Sequence, residues 1–199
     1  MRIILVGASG TIGQAVKAEL TPRHEVISAG RHSGDLQLDI TDSDSIHAAL
    51  RKVGQFDAII CCAGHAKWAP FAEMTAQDYE IGLKDKLMGQ VNLVLIGREY
   101  INEGGSFTLS SGVTDHDPIP MASSASMVAT ALSGFAMAAA IEMSKGMRIN
   151  VVSPGVIEEA MDVFAPYFRG HNPVPAARAA LGYAKSVEGL QTGQTFRIL

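Results

Sequence analysis

Short apolar runs and helical periodicities alternate along the whole chain. The run Ile3–Val6 ends at Gly7, and continuous apolar runs of this length are typical of strands that are buried on both faces of a sheet. The same reasoning predicts further strands at 25–28, 36–39, 58–61, 107–109, 149–152 and 195–199. Apolar residues that recur every three or four positions predict helices at 11–20, 43–53, 75–102, 122–144 and 176–189. Gly104-Gly105 is predicted to be a turn.

This alternation predicts a parallel sheet that is covered by helices on both faces. We therefore expect an α/β fold with a doubly wound sheet of about seven strands in three layers, α/β/α. No repeat or linker interrupts the pattern, so a single domain is predicted over residues 1–199. The segment 156–175 contains three prolines and is predicted to be irregular and to lie over a ligand crevice.

Composition narrows the possible classes of protein. Hydrophobic residues make up 47% of the 199 residues and charged residues 18%, which is the composition of a folded chain. The net charge of −4 argues against nucleic acid or an anionic membrane as a partner. We expect no transmembrane helix and no signal peptide, and hence a cytoplasmic protein. Cys61 and Cys62 are adjacent, so no disulfide is expected, and no metal-ligand spacing occurs.

Glycines follow the first strand at a spacing of three, in Gly7-Ala8-Ser9-Gly10-Thr11-Ile12-Gly13. Such a loop turns sharply, lets a pyrophosphate approach the backbone and packs the next helix closely on the sheet, and a Cβ atom would obstruct each of these. The helix that follows would offer free N–H groups to the phosphates. The loop predicts a Rossmann-type dinucleotide site; the alternative is a tight turn without a ligand.

The end of the second strand bears on which dinucleotide is bound. An acid there would meet a free ribose 2′-hydroxyl, but the chain has Arg31, followed by His32. A guanidinium suits a 2′-phosphate, so NADP(H) is predicted in preference to NAD(H). The alternative for Arg31 is an ordinary surface charge, and His32 either adds to the phosphate site or is a plain loop residue.

Several motifs, taken in order, resemble the short-chain dehydrogenase/reductase family over nearly the whole chain. Cys61-Cys62-Ala63-Gly64 stands where the family has Asn-Asn-Ala-Gly, and Leu109–Gly112 matches the strand end that carries the family's catalytic serine. The other matches are the glycine loop, Leu38–Ile40, Arg148–Gly155 and Gln191–Gln194. The glycine loop, the end of the second strand and the resemblance together predict a set of cofactor-binding residues: Gly7, Ser9, Gly10, Thr11, Ile12, Gly13, Arg31, His32, Asp39, Ile40, Ala63, Gly64, Pro154, Gly155 and Val156.

The resemblance fails where the family places its catalytic tyrosine and lysine. Those positions correspond here to Ala125 and Ala129, and the family's asparagine corresponds to Lys86. Ser111 and Lys86 are therefore the catalytic candidates: Ser111 as a hydrogen-bond donor to a carbonyl, Lys86 as an electrostatic stabiliser or proton donor. Each has a plainer alternative, a hydroxyl satisfied by the backbone and a solvated helix lysine. The remaining candidates for the acid are His65, His116 and Tyr167.

The resemblance implies an NADP(H)-dependent oxidoreductase that acts on the carbonyl or hydroxyl group of a small molecule with a non-standard proton donor. The alternative is a weak or inactive NADP(H)-binding sensor or interaction protein. The resemblance also implies a homodimer or homotetramer formed through the helices at 75–102 and 122–144.

Overall fold

Seven parallel strands form one sheet in the computed structural model, which describes residues 1–199. The strand order is β3-β2-β1-β4-β5-β6-β7. The order therefore reverses between β1 and β4, and in open α/β sheets ligands bind outside the carboxyl ends of the strands at such a point. The strands are β1 (Arg2–Val6), β2 (Glu25–Gly30), β3 (Leu36–Gln37), β4 (Phe56–Cys61), β5 (Ile101–Ser110), β6 (Arg148–Pro154) and β7 (Thr195–Ile198).

Seven α-helices cover the two faces of the sheet. They are α1 (Thr11–Leu20), α2 (Ser43–Val53), α3 (Ala76–Gly82), α4 (Met88–Gly97), α5 (Ser123–Glu142), α6 (Met161–Phe164) and α7 (Ala176–Glu188). Alternate residues of β1 explain why both faces need cover: Ile4 and Val6 pack into the core beneath α2, α4 and α5, whereas Ile3 and Leu5 pack beneath α1 and α7. The predicted three-layer fold is confirmed.

The helix predicted over 75–102 is wrong in detail. A π-helical turn, Leu83–Leu87, separates α3 from α4, and the helix ends at Gly97. Ile101 already pairs with Phe56 in the sheet. Gly104-Gly105, predicted as a turn, lies within β5, where the register with β4 shifts and Gly104 has a φ of +75°. Glycine in a strand interior often marks such an irregularity rather than a chain reversal.

One helix is long and apolar enough to cross a membrane by length and composition alone, although no continuous apolar run in the chain reaches about 18 residues. Helix α5 has 20 residues, and its most apolar stretch has a mean hydropathy of 1.6. Serine and threonine interrupt its apolar runs, so inspection of runs alone missed it. The helix packs on the sheet through Val128, Leu132 and Ala136, which are fully buried, as the core helix of a globular protein does.

The segment predicted to be irregular contains only one turn of 3₁₀-helix, Glu158–Ala160, and the short α6. An isolated bridge between Ile157 and Val174 closes it into a loop. The Glu159 carboxylate accepts hydrogen bonds from the Ala176 N–H at 3.0 and 3.1 Å and thereby caps α7. The loop returns across the carboxyl end of β6, where Phe168 packs against Val156.

Candidate functional site

The glycine loop leaves no room for side chains at two of its three glycines. A Cβ atom on Gly13 would lie 2.1 Å from the Gly7 carbonyl oxygen, and one on Gly7 would lie 2.8 Å from the Ala63 nitrogen. Gly7 also has a φ of +81°, which disfavours any other residue. A Cβ on Gly10 would meet only the Gly7 oxygen, at 3.6 Å. Gly7 and Gly13 therefore hold the turn together, and Gly10 is the glycine that leaves the surface of the loop open.

The N-terminus of α1 begins in this loop without a side-chain cap. Gly10 is the N-cap residue, it makes no capping hydrogen bond, and the first turn carries no acid. The first hydrogen bond of the helix is donated by the Gln14 N–H to the Gly10 carbonyl at 2.8 Å. The N–H groups that precede it in a helix have no partner within the helix, and the dipole favours an anion near them. Ser9 and Thr11, beside these groups, are exposed.

A crevice of about 460 Å³, which we name the Arg31 crevice, lies beside the loop at the ends of β1 and β2. Nε of Arg31 lies 3.0 Å from Oδ2 of Asp39, and Nη2 lies 3.9 Å from Oδ2 of Asp85. Its lining contains one arginine, no lysine and two carboxylates. The lining residues are Val6, Gly7, Ser9, Gly30, Arg31, His32, Ser33, Leu38, Asp39, Ile40, Ala63, Gly64, His65 and Asp85.

Asp39 is held firmly in this crevice. Its Oδ1 accepts hydrogen bonds from the Thr41 N–H at 2.9 Å and from the Thr41 hydroxyl at 2.7 Å. Burial on its own would raise the pKa of Asp39, but these hydrogen bonds and the charge of Arg31 outweigh it and lower the pKa below its ordinary value. Asp39 is therefore a fixed negative charge that positions Arg31.

A second cavity of about 180 Å³, which we name the Lys86 pocket, opens on the other side of the loop. It brings together both catalytic candidates, Ser111 and Lys86, with residues from the ends of β5 and β6. Ala125 and Ala129 also line it, so only methyl groups face the cavity from α5. The lining residues are Ile12, Trp68, Lys86, Ser111, Gly112, Val113, Thr114, Ala125, Ala129, Pro154, Gly155, Val156, Ile157 and Phe168.

Lys86 reaches this pocket from the π-helical turn between α3 and α4, a local feature that recurs at functional sites. The backbone of Gly64, with a φ of +121°, lies so close that a Cβ there would be 2.9 Å from the Lys86 Cα. Desolvation lowers the pKa of Lys86 below its ordinary value, and the neighbouring Asp85 only partly opposes this. Lys86 is half-buried as a residue and lines a pocket. It is therefore not the solvated helix lysine that the sequence left open as the plainer alternative.

Ser111 is 7% exposed, and its hydroxyl donates to the Ala129 carbonyl at 3.1 Å. The backbone thus satisfies the Ser111 hydroxyl as a donor, as the plainer alternative foresaw, while the lone pairs of its oxygen stay available to a group in the pocket. Lys86, Ser111 and Thr114 are among the side chains of this pocket that carry a polar group able to meet an oxygen atom.

Aromatic side chains wall the Lys86 pocket, and sequence reasoning missed them. Trp68 packs against Phe164 with ring centroids 5.6 Å apart, and Phe164 packs against Phe168 at 6.2 Å. Trp68 and Phe168 line the pocket itself. Two features of the sequence could have indicated these residues. Trp68 closely follows Ala63-Gly64, and Phe168 lies in the proline-containing segment that was predicted to cover a crevice.

The other candidate acids lie outside the Lys86 pocket. Nδ1 of His116 contacts the nearly buried carboxylate of Asp115 in the loop after β5. His65 lines the Arg31 crevice instead, where its backbone N–H donates to Asp85 Oδ1 at 3.2 Å. Tyr167 packs beside Phe168 without lining either cavity.

Cys61 and Cys62 belong to the hydrophobic cores of the two faces. Burial raises the pKa of each thiol to about 12, so neither is a thiolate near neutral pH. Both cysteines therefore act as small packed hydrophobic residues.

The structure gathers the predicted cofactor residues around the glycine loop. Eight line the Arg31 crevice, namely Gly7, Ser9, Arg31, His32, Asp39, Ile40, Ala63 and Gly64, and four line the Lys86 pocket, namely Ile12, Pro154, Gly155 and Val156. Gly10, Thr11 and Gly13 line neither cavity, because they form the first turn of α1 between them. Asp85, which sequence reasoning also missed, lines the Arg31 crevice, whereas the next residue, Lys86, lines the Lys86 pocket.

Comparison with known families gives a match over most of the chain. The family model described as enoyl-(acyl carrier protein) reductase matches residues 10–190. YohF of Escherichia coli K12, described as an uncharacterized oxidoreductase, is 28% identical over 146 residues, which cover 69% of this chain and 58% of that protein. The chain spans little more than half the length of the curated relatives it matches.

Solved structures share the whole fold. The crystal structure of lin1944 from Listeria innocua is 48% identical, covers 100% of both chains and superposes with a TM-score of 0.98. A small-chain dehydrogenase crystallised in complex with NADPH is 22% identical, covers 100% of this chain and 96% of its own, and superposes with a TM-score of 0.87. At that identity the second likeness concerns the fold alone.

Proposed function

The chain belongs to the short-chain dehydrogenase/reductase family, and from that premise we propose that it is an NADP(H)-dependent oxidoreductase acting on the carbonyl or hydroxyl group of a small molecule. The family uses nicotinamide cofactors. What we propose for this chain in particular is the phosphorylated cofactor, the substrate class and the residues that act on the substrate. The resemblance of the motifs to this family, seen first in the sequence, is confirmed.

One observation carries the proposal: an uncapped helix N-terminus stands behind a glycine turn that tolerates no side chain at Gly7 or Gly13. A pyrophosphate fits this cradle, because free N–H groups and the helix dipole face it and no acid opposes it. The Arg31 crevice opens on one side of the cradle and the Lys86 pocket on the other. That arrangement suits a ligand with two ends joined by a diphosphate.

The residues divide accordingly between the two ends of the cofactor. The Arg31 crevice would hold the adenosine end, with Asp39 and Ile40 beside the base and Arg31 available to a 2′-phosphate. Ile12 and Pro154–Val156 would flank the nicotinamide end. When bound, the nicotinamide supplies or accepts the hydride, and the protein contributes position and electrostatics.

Lys86 and Ser111 would act on the substrate oxygen. A protonated Lys86 stabilises negative charge on that oxygen and can give it a proton, and a lowered pKa makes the amine a better acid. The Ser111 oxygen lies in the same pocket and helps to orient a hydroxyl substrate. The aromatic wall of Trp68 and Phe168 favours a substrate whose body is apolar.

Replacing Arg31 with alanine is expected to weaken NADPH binding by about 10- to 30-fold and to leave NADH binding nearly unchanged, because only the 2′-phosphate loses a charged donor. Titration calorimetry of both cofactors on both proteins measures this. Arg51→Ala, which removes an exposed arginine from the last turn of α2, is the matched control and should change neither affinity.

Three outcomes separate the candidate functions. Wild-type protein that binds NADPH more tightly than NADH and oxidises it with members of a carbonyl panel supports the enzyme. Tight NADPH binding with no turnover on any carbonyl would favour the sensor, a function consistent with a pocket whose α5 wall is Ala125 and Ala129. Equal or tighter binding of NADH would contradict the choice of cofactor.

NADPH is expected to quench the fluorescence of Trp68, the chain's single tryptophan, more strongly than NADP⁺ does. Trp68 lines the pocket proposed for the nicotinamide, and the reduced ring absorbs where indole emits. Fluorescence titration at concentrations shown by calorimetry to saturate the site measures the effect. Unchanged emission at saturation would place the nicotinamide elsewhere, and Trp68→Phe provides the blank.

A further inference from the structure

Asp85 faces Arg31 from the opposite wall of the Arg31 crevice. Arg31 follows β2, whereas Asp85 lies on the π-helical turn before α4, and their side chains approach to 3.9 Å. The Asp85 side chain is 22% exposed, and its Oδ1 is held by the His65 N–H at 3.2 Å. The carboxylate is thus fixed in place where it meets the guanidinium.

The charges in the crevice disfavour the binding of a further anion unless the contacts of Arg31 with the two carboxylates rearrange. Arg31 is its only arginine or lysine, and Asp39 and Asp85 both face it. The formal charges of Arg31, Asp39 and Asp85 sum to −1, and a 2′-phosphate would add up to two more negative charges. Any 2′-phosphate must therefore compete with carboxylates for one guanidinium.

The two carboxylates differ in how well the protein compensates them. Asp39 accepts two hydrogen bonds from Thr41 in addition to its close contact with Arg31. Asp85 accepts one hydrogen bond, from the His65 N–H, lies farther from the guanidinium, and is also attracted by Lys86, the next residue along the turn. Hydrogen bonds therefore compensate the charge of Asp85 less than that of Asp39, so its removal should change the field in the crevice the more.

We infer that Asp85 is a specificity-determining residue: its carboxylate shares Arg31 with Asp39. Asp85 thereby weakens the preference of the crevice for nucleotides with a 2′-phosphate over nucleotides without one. The inference rests on the proposed function, because it presumes that adenosine nucleotides enter the Arg31 crevice. It assigns to the turn that carries Lys86 a second role, at the adenosine end of the site.

Asp85→Asn tests the inference with little change of shape, since the asparagine oxygen can still accept from the His65 N–H. We expect the variant to bind NADP⁺ and adenosine 2′-phosphate about 5-fold more tightly, and NAD⁺ and adenosine 5′-phosphate within about 2-fold of wild type. Titration calorimetry measures all four affinities without any requirement for turnover. Glu80→Gln, which removes the same charge from an exposed pair with Lys84, should change none of them.

The Arg31→Ala background tests whether the effect passes through the shared guanidinium. Without Arg31 the gain from Asp85→Asn should fall to about 2-fold or less, because no cation is left to be released. A full gain in affinity in the Arg31→Ala background would overturn the inference. So would an Asp85→Asn single variant that binds nucleotides with and without a 2′-phosphate more tightly by the same factor. If the wild type binds NADP⁺ preferentially and Asp85→Asn leaves that preference unchanged, the inference alone fails. If the wild type binds none of the four nucleotides, the proposed function fails with it.

Discussion

Replacing Gly13 with alanine is expected to weaken the binding of NADPH and NADH alike by about 100-fold or more. The new methyl group would lie 2.1 Å from the Gly7 carbonyl oxygen and 2.9 Å from the Ala8 Cα, and both are backbone atoms of the turn. Neither atom can move aside unless the whole glycine turn moves away from the helix N-terminus. Because that turn is the proposed pyrophosphate cradle, both cofactors lose the same contacts, and calorimetric titration measures the loss.

Two further glycines make the experiment decisive. Gly134→Ala places a methyl group in α5 where nothing lies within 4 Å, and is expected to be neutral or to stabilise the protein by about 0.5–1 kcal/mol. Gly10→Ala meets only the Gly7 oxygen at 3.6 Å, so the protein should keep its thermal midpoint and still bind both cofactors less well. If Gly10→Ala and a folded Gly13→Ala both bind NADPH as the wild type does, the cradle is not the pyrophosphate site.

What the sequence predicts well here is local. The glycine loop and Arg31 at the end of β2 each depend on a few adjacent residues. Runs of buried strand residues such as Ile3–Val6 predict the sheet because both of its faces need apolar cover. The fold and most of the residues that line the Arg31 crevice follow from such patterns.

The rest depends on contacts between residues that are distant in sequence. Periodicity over 75–102 continues smoothly through the π-helical turn, so nothing in it indicates that Asp85 and Lys86 turn toward two different cavities. Trp68 and Phe168 are 100 residues apart and meet in one wall only because the loop after β6 folds back. Gly104-Gly105 has turn composition, but it lies where the register between β4 and β5 shifts, and the chain continues in the same strand.

Lys86→Met is expected to lower the rate of carbonyl reduction by about 10²- to 10⁴-fold while NADPH binding changes little. Methionine keeps an unbranched side chain of similar length in the pocket but has neither the charge nor the proton of the amine. The variant therefore separates a chemical role from a packing role, and steady-state oxidation of NADPH with a reactive carbonyl measures it. Lys84→Met is the matched control: Lys84 is exposed, pairs with Glu80 at 2.6 Å and should be replaceable without loss of rate.

The pH profile adds a readout that a merely structural lysine would not change. Burial lowers the pKa of Lys86 below its ordinary 10.5, and only the protonated amine can donate. The reduction rate of the wild type should therefore be level at low pH and fall as the pH rises through this lowered pKa, while oxidation of the alcohol should rise over the same range. In Lys86→Met both limbs should vanish. A variant that keeps the wild-type rate and its pH dependence would assign the proton to a group other than Lys86.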